Sequence, residues 1–229
     1  MVNKKHLRCV HRHSIETHPA CFAQGKLDYE FTSDREWEKI TGTPWYTYPD
    51  YKIGYFDMEA DGLKTDFATM LTWCVKEKGG KIVSGVIKKS ELFSEIDVDK
   101  RLVSDLAKEL SKYKIIVTYF GTRYDLPFVR TKAMRYNLPI LEYGGTYHFD
   151  LFYTVKSKMN LSRKSLDSAC DYLGIKGKTQ IDKESWRRAK YGNRAGLKEV
   201  LNHNEGDVVI LEKLHEKLLP FRKWIRTSV

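Results

Sequence analysis

The sequence predicts an α/β fold, a mixed β-sheet flanked by α-helices, preceded by a small Cys/His-rich appendage. Three β-compatible runs come first, at 52–59, 68–76 and 81–88, and Lys78-Gly79-Gly80 turns the second into the third as a hairpin. Strand and helix patterns alternate from there, and a long amphipathic stretch at 195–219 comes last. The 229 residues, 41% hydrophobic and 13% aromatic, suffice for a medium-sized core and argue against disorder. No apolar run approaches the ~18 residues of a membrane span. The start, Met1-Val2-Asn3-Lys4-Lys5-His6, lacks the apolar core of a secretory signal, so neither a membrane partner nor export is expected.

Residues 1–50 read as a Cys/His-rich segment with a linker, and 51–229 as the main domain. Four of the seven histidines (His6, His11, His13 and His18) lie in the first eighteen residues, beside Cys9 and Cys21. Cysteines and histidines a few residues apart can close on one tetrahedral Zn²⁺, and a segment with little core gains stability from such a staple. The preferred ligands are Cys9, His13, His18 and Cys21, with His11 as substitute for His13; a His-rich surface turn or a phosphate-contacting loop is the other reading. Ser33-Asp34-Arg35-Glu36 has the capping-box pattern of a short helix to Ile40. Thr43-Pro44-Trp45-Tyr46-Thr47-Tyr48-Pro49 reads as an ordered linker. Two of the four cysteines, Cys74 and Cys170, fall inside predicted core elements, which suits a reducing, intracellular (cytoplasmic) compartment.

In the main domain, Asp97 is expected to cap a helix running to about Lys112, with Val98, Leu102, Leu106 and Leu110 along one face. Lys114–Phe120 reads as a buried strand ended by a turn at Gly121. Asp125 opens a helix through Arg135, Tyr147–Asp150 is a short strand, and helices follow at about 151–158, 165–173 and 183–190.

The acids carry the chemistry. Successive strand side chains alternate faces, so Asp57 and Glu59 share one face while Phe56 and Met58 take the other. Two carboxylates about 7 Å apart on a buried strand repel each other and call for a cation, unless that strand end simply faces solvent. Asp125 follows a buried strand; a helix N-cap and a metal ligand are both open to it, since one carboxylate has two oxygens. On the last helix Val200, His203, Asp207, Leu211, Leu214 and Leu218 fall on one face. An aspartate in an apolar stripe is protonated, paired with a Lys or Arg, or bound to metal.

Asp57-x-Glu59, Tyr124-Asp125 and His203-x-x-x-Asp207 resemble the three motifs of the DEDD exonuclease superfamily. The branch resembled is that of family-B polymerase proofreading domains and related stand-alone exonuclease domains, over about residues 51–220. Phe149-Asp150-Leu151 and the run Ser165-Leu166-Asp167 to Lys178 are similar to the stretch preceding the third motif. The resemblance implies a ribonuclease H-like fold in which Asp57, Glu59, Asp125 and Asp207 hold two Mg²⁺ or Mn²⁺ ions. It also implies 3′→5′ exonuclease activity on nucleic acid by a two-metal-ion mechanism. Oxygen ligands suit such hard cations. Asp150, at a strand end, is a candidate for outer support of the site or for strand-end capping. Two departures stand out. The asparagine usual before the second-motif aspartate is missing from Tyr119-Phe120-Gly121-Thr122, and His203 stands at the spacing of a tyrosine. His203 is therefore a candidate catalytic residue, as acceptor or orienter of a water's proton, or a core histidine bonded to Asp207.

The net charge of +10, from 40 Lys and Arg against 30 Asp and Glu, suits an anionic partner, nucleic acid first. Lys156, Lys158, Arg163 and Lys164 form one basic run. Lys176, Lys178, Lys183, Arg187, Arg188, Lys190 and Arg194 form another, interleaved with Trp186 and Tyr191. Lys178, Arg187 and Arg188 are the chosen nucleic-acid contacts, to single-stranded or frayed ends. The expected function is a divalent-metal-dependent nuclease. Its rivals are a nucleic-acid-binding module of the same fold with weak or no activity, and a zinc-stapled basic adaptor whose acids are structural. The zinc expectation has its own test: purified protein should retain about one equivalent of zinc through dialysis. Cys21→Ser should lose it, and metal analysis finding no zinc under reducing conditions would retire the idea.

Overall fold

In a computed structural model, residues 52–139, 146–177, 180–219 and 227–228 are described, with a few positions among the first 28. The predicted helix at Ser33–Ile40, the 43–49 linker, and His18, Cys21 and Lys178 lie outside the described residues. Two short strands, β1 (Arg8–Cys9) and β2 (Leu27–Asp28), pair antiparallel. His13 is exposed.

The main sheet is built from β3 (Ile53–Ala60), β4 (Met70–Glu77), β5 (Ile82–Val86), β6 (Ile115–Thr118), β7 (Tyr147–Asp150) and the two-residue β8 (Thr227–Ser228). Its order is β5-β4-β3-β6-β7-β8. The first three long strands are antiparallel neighbours, whereas β3, β6 and β7 run parallel. Five longer strands and the two-residue β8 in this mixed order, with helices on both faces, make the α/β architecture the sequence led us to expect. Gly79 closes the β4–β5 hairpin at φ +64°, which glycine adopts without strain.

Seven helices are described: α1 (Lys89–Leu92), α2 (Lys100–Leu110), α3 (Asp125–Arg135), α4 (Leu151–Lys158), α5 (Leu166–Tyr172), α6 (Lys183–Lys190) and α7 (Arg194–Leu218). Sequence reading missed α1, a single turn with no buried residue to give it a periodic signal. The two sheet faces bury separate cores. Phe56, Met58, Trp73 and Val75 pack with Leu102, Leu106, Phe128 and Val129 on one side. Tyr55, Cys74, Val117 and Phe149 pack with Val208, Leu211, Leu214 and Leu218 on the other. The predicted alternation in β3 is thereby met, and Cys74 and Cys170 are buried. Helix α7 lies close on α6 because residue 196 has no side chain: a Cβ on Gly196 would come within 2.7 Å of the Ala189 nitrogen.

The start of α2 differs from the expectation. Asp97 does not cap the helix; it sits at φ +55°, and the N-cap position falls to Asp99. Asp99 makes no cap bond either, because its carboxylate is drawn wholly into the core. It accepts the Met70 N–H at 2.9 Å, meets Lys132 Nζ at 3.0 Å, and accepts the Tyr136 hydroxyl. One acid thus ties β4, α2 and α3 together. Removing one partner of a buried ion pair leaves the other charge uncompensated, at a cost of about 3–5 kcal/mol. Urea unfolding of Asp99→Ala should show a loss of that size, and Lys132→Met with Asp99→Leu should recover part of it. A loss within 0.5 kcal/mol, about what an ordinary surface change costs, would show that the pair does not hold these elements together.

Candidate active site

The parallel strands β3, β6 and β7 bring their carboxyl ends to one edge of the sheet, where open α/β sheets place their ligand sites. Asp57 and Glu59 lie near the end of β3, on the face crossed by α7. Asn204 of α7, fully buried, donates from its side-chain amide to Asp57 Oδ2 and accepts the Thr72 hydroxyl at 3.4 Å. That chain of bonds fixes helix to strand in register and orients one oxygen of Asp57. Asp207, buried, and His203, partly buried, come from the same helix. His203 Nε2 lies 3.7 Å from Glu59 Oε1 and 3.9 Å from Asp207 Oδ2. One ligand atom from each of Glu59, His203 and Asp207 falls within 4.8 Å of the others.

Asp125 arrives from the far side of β3. Tyr124 takes the N-cap position of α3, so Asp125 is the first helical residue and not the cap. Its Oδ1 instead accepts the Met58 N–H at 3.3 Å, between Asp57 and Glu59 in sequence. Asp150 positions the turn that delivers it. That carboxylate accepts the N–H groups of Phe120 at 2.7 Å, Thr122 at 3.0 Å and Phe152 at 3.1 Å, capping α4 and holding the β6–α3 turn at once. Of its two candidate roles, capping is the one these bonds display. Gly121 is required in this turn: a Cβ there would stand 2.3 Å from Thr118 Oγ1.

Crowding sets the electrostatics. Burial, together with the charges of Asp125, Glu59 and Asp207, holds the Asp57 carboxyl well above the usual carboxylate range, against the opposing Asn204 bond. Asp125 is pushed up to about 7, mainly by burial and further by Asp150, while backbone N–H bonds oppose the shift. A cation at this edge would relieve what hydrogen bonds do not. Donors of this kind, mostly carboxylate oxygens, fit a hard divalent ion.

Two contributors escaped sequence reading. Asn204 extends the stripe Leu197, Val200, Asn204, Val208, Leu211, all buried, so a polar residue at an apolar spacing was its available signal. Phe120 takes φ +66°, a left-handed conformation rare for a bulky side chain, and its ring packs edge-on to Phe152 at 4.8 Å while 42% exposed. The basic residues stand elsewhere. Arg187 and Arg188 line an open cleft of about 460 Å³ with Lys89, Tyr191 and Asn193, which shares no residue with the acid cluster. Arg187 also meets Glu184 at 2.8 Å, and Arg188 meets Glu199 at 3.5 Å. Lys176 lines another cleft with Lys213 and Lys217. Among the described residues no helix is long and apolar enough to cross a membrane.

Fold and site together define an α/β domain with acids from three segments gathered at the carboxyl edge of its sheet. The ribonuclease H superfamily model matches residues 54–219, and the chain belongs to that superfamily. It is similar to an Archaeoglobus fulgidus DNA polymerase, 26% identical over 84% of this chain and 26% of that protein. It is also similar to Pyrococcus abyssi DNA polymerase 1, at 20% identity over 91% of this chain and 30% of the relative. The family B DNA polymerase of the hyperthermophilic archaeon Pyrobaculum calidifontis shares the fold, with a TM-score of 0.59, 20% identity, and coverage of 76% of this chain and 25% of that one. The chain thus spans between a quarter and a third of the length of these relatives.

The raised Asp125 pKa has a consequence for stability. Between about 3.9, the value of an unfolded aspartate, and about 7, the folded chain keeps a proton that the unfolded chain has released. Stability from this group therefore falls as pH rises through that window. Without divalent ions, Asp125→Asn should raise the unfolding temperature at pH 8 by roughly 3–8 °C and leave it nearly unchanged at pH 4. Added Mg²⁺ or Mn²⁺ should stabilise the wild type more at pH 8 than at pH 5. A variant less stable than wild type at pH 8 would contradict the assignment.

Proposed function

We propose that this chain is a divalent-metal-dependent nuclease of 3′→5′ exonuclease type, hydrolysing phosphodiester bonds at single-stranded or frayed nucleic-acid ends. The observation that carries the reading is the arrival of Asp57, Glu59, Asp125 and Asp207 at one sheet edge from β3, α3 and α7. The elevated Asp57 carboxyl supports it, because like charges packed this closely call for a cation. Those four residues would hold two Mg²⁺ or Mn²⁺ ions, which when bound supply an activated water and stabilise the leaving oxygen. The protein's own part is positioning. Asn204 fixes an oxygen of Asp57, Met58 N–H fixes one of Asp125, and the Asp150 clamp keeps the β6–α3 turn in place. Leu63 and Phe67, in the loop after β3, are 82% and 89% exposed and would offer apolar surface to the faces of unpaired bases. The clefts of Arg187 and Arg188, and of Lys176, suit phosphates further along a strand. Lys178 is assigned to the same role from sequence.

The Cys/His-rich segment over 1–50 belongs to this proposal as a separate, zinc-stapled unit using Cys9, His13, His18 and Cys21, ahead of a nuclease domain at 51–229. An intracellular site of action agrees with the buried thiols Cys74 and Cys170. The second reading, a nucleic-acid-binding module with weak or no cleavage, is favoured by one feature: Phe120 and its neighbours stand where an asparagine is expected before Asp125.

Digestion of 5′-labelled and 3′-labelled single strands, of DNA and of RNA, with Mg²⁺, Mn²⁺ or EDTA, tests the reading. Asp57→Asn and Asp207→Asn should each lower the rate by about 10³-fold or more, of the order of 4 kcal/mol in the barrier, with the fold retained by circular dichroism. Strand affinity should fall steeply with salt, and Arg187→Gln with Arg188→Gln should lessen that slope. Unchanged digestion by Asp57→Asn would defeat the metal assignment. A wild type inert with both metals but still binding strands would establish the second reading.

A further inference from the structure

Resting on the metal-binding reading of the same edge, we infer that His203 is itself a metal ligand, making a mixed nitrogen–oxygen site that selects Mn²⁺ over Mg²⁺. Three donors from two elements converge there: Glu59 from β3, and His203 with Asp207 four residues apart on α7. The i, i+4 spacing places both helical side chains over one another on a single face, as in helices that chelate metal with residues four apart. The nitrogen that approaches both acids is the same one. Nε2 lies 3.7 Å from Glu59 Oε1 and 3.9 Å from Asp207 Oδ2, nearly equidistant from two carboxylates of different segments.

Those distances bear on one role open to His203, a direct bond to Glu59 or Asp207. A proton shared between imidazole and carboxylate draws the two heavy atoms to about 2.7–2.9 Å and favours one oxygen. Near-equal separations a full ångström longer leave space between all three donors, each within 4.8 Å of the others. Bonds of about 2.0–2.2 Å to imidazole nitrogen and carboxylate oxygen are of the length that fills such a space. Glu59 and His203 are partly exposed while Asp207 is buried, so the group is open on one side, toward solvent and an incoming strand.

The identity of the donors then sets the choice of metal. Mg²⁺ holds to oxygen ligands in near-ideal octahedra and gives up water reluctantly, whereas imidazole suits the transition metals. Adding Nε2 to the carboxylate donors therefore raises Mn²⁺ affinity relative to Mg²⁺.

Mn²⁺ binding to EDTA-washed protein, without nucleic acid, tests this by electron paramagnetic resonance. Bound Mn²⁺ should show nitrogen coupling from one imidazole, and His203→Gln should abolish that coupling. The same change should weaken Mn²⁺ binding about tenfold, while Mg²⁺ binding, measured by competition, moves less than about twofold. His203→Tyr, checked for folding by circular dichroism, should reproduce both results. Bound Mn²⁺ without nitrogen coupling, coupling that persists in His203→Gln, or no Mn²⁺ binding at all would overturn the inference. Failure of the nuclease reading looks different. There the nitrogen-coupled Mn²⁺ would be present and no strand would be cut; hydrolysis with uncoupled Mn²⁺ would instead spare the nuclease and remove only His203.

Discussion

The structure turns on the contact between α7 and β3 at Asn204 and Asp57. Asp57 feels the repulsion of Glu59, Asp125 and Asp207, and an α/β core tolerates such acids only if their positions are fixed by other bonds. Asn204 does this from the helix: its amide donates to Asp57, and its carbonyl oxygen accepts from Thr72 on the neighbouring strand. A neutral amide orients the acid without neutralising it, so Asp57 remains well above the usual carboxylate range. A lysine at residue 204 would settle the charge and occupy the space a metal needs. Leu197, Val200, Val208 and Leu211 secure the same helix above and below by apolar burial, contributing roughly 1.5–3 kcal/mol each. The apolar stripe supplies the adhesion, and the polar pair sets the register of helix on strand and the orientation of Asp57.

A second device governs the other side of the site. The turn from β6 to α3 must deliver Asp125 to Met58 N–H while turning sharply, and Asp150 collects three backbone N–H groups to keep it there. Phe120 bears the strain at φ +66°. Such conformations cost of order 1–3 kcal/mol and persist where the surroundings over-determine them, here through the Asp150 bond on one side and the Phe152 ring on the other.

Much of this was legible in the residues because it depended on periodicity. The period of two put Asp57 and Glu59 on one face of β3, and the i, i+4 rows put His203 and Asp207 on one face of α7. Helices α3, α4 and α6 and strand β7 fall at the predicted bounds, and the structure shows Asp150 and Asp182 capping α4 and α6. The failures are tertiary overrides of local signals. Asp97 has the look of a cap, yet Asp99 two residues on is claimed by Lys132, Tyr136 and Met70, and α2 begins later for that reason. Nothing local marks Phe120 as left-handed, for the cause lies thirty residues away in Asp150. Asn204 needed only the question of which polar residue breaks an apolar stripe, and Asp207, one turn on, drew the attention first.

The charge of the whole chain and the charge of its site have opposite signs, and the two have to be reconciled. A net +10 raises the local concentration of polyanions, but a cluster of four carboxylates repels the phosphate on which it would act. Separation in space answers part of the conflict. The cationic clefts around Lys89, Arg187 and Arg188, and around Lys176, Lys213 and Lys217, share no residue with the acids, so a strand can be held by its phosphates without those cations neutralising the carboxylates. On the proposed reading, divalent ions would answer the rest. With the acids metal-loaded, the local field reverses and the edge that repelled a phosphate attracts one. Binding of metal and of strand should then reinforce each other, because each removes charge that opposes the other.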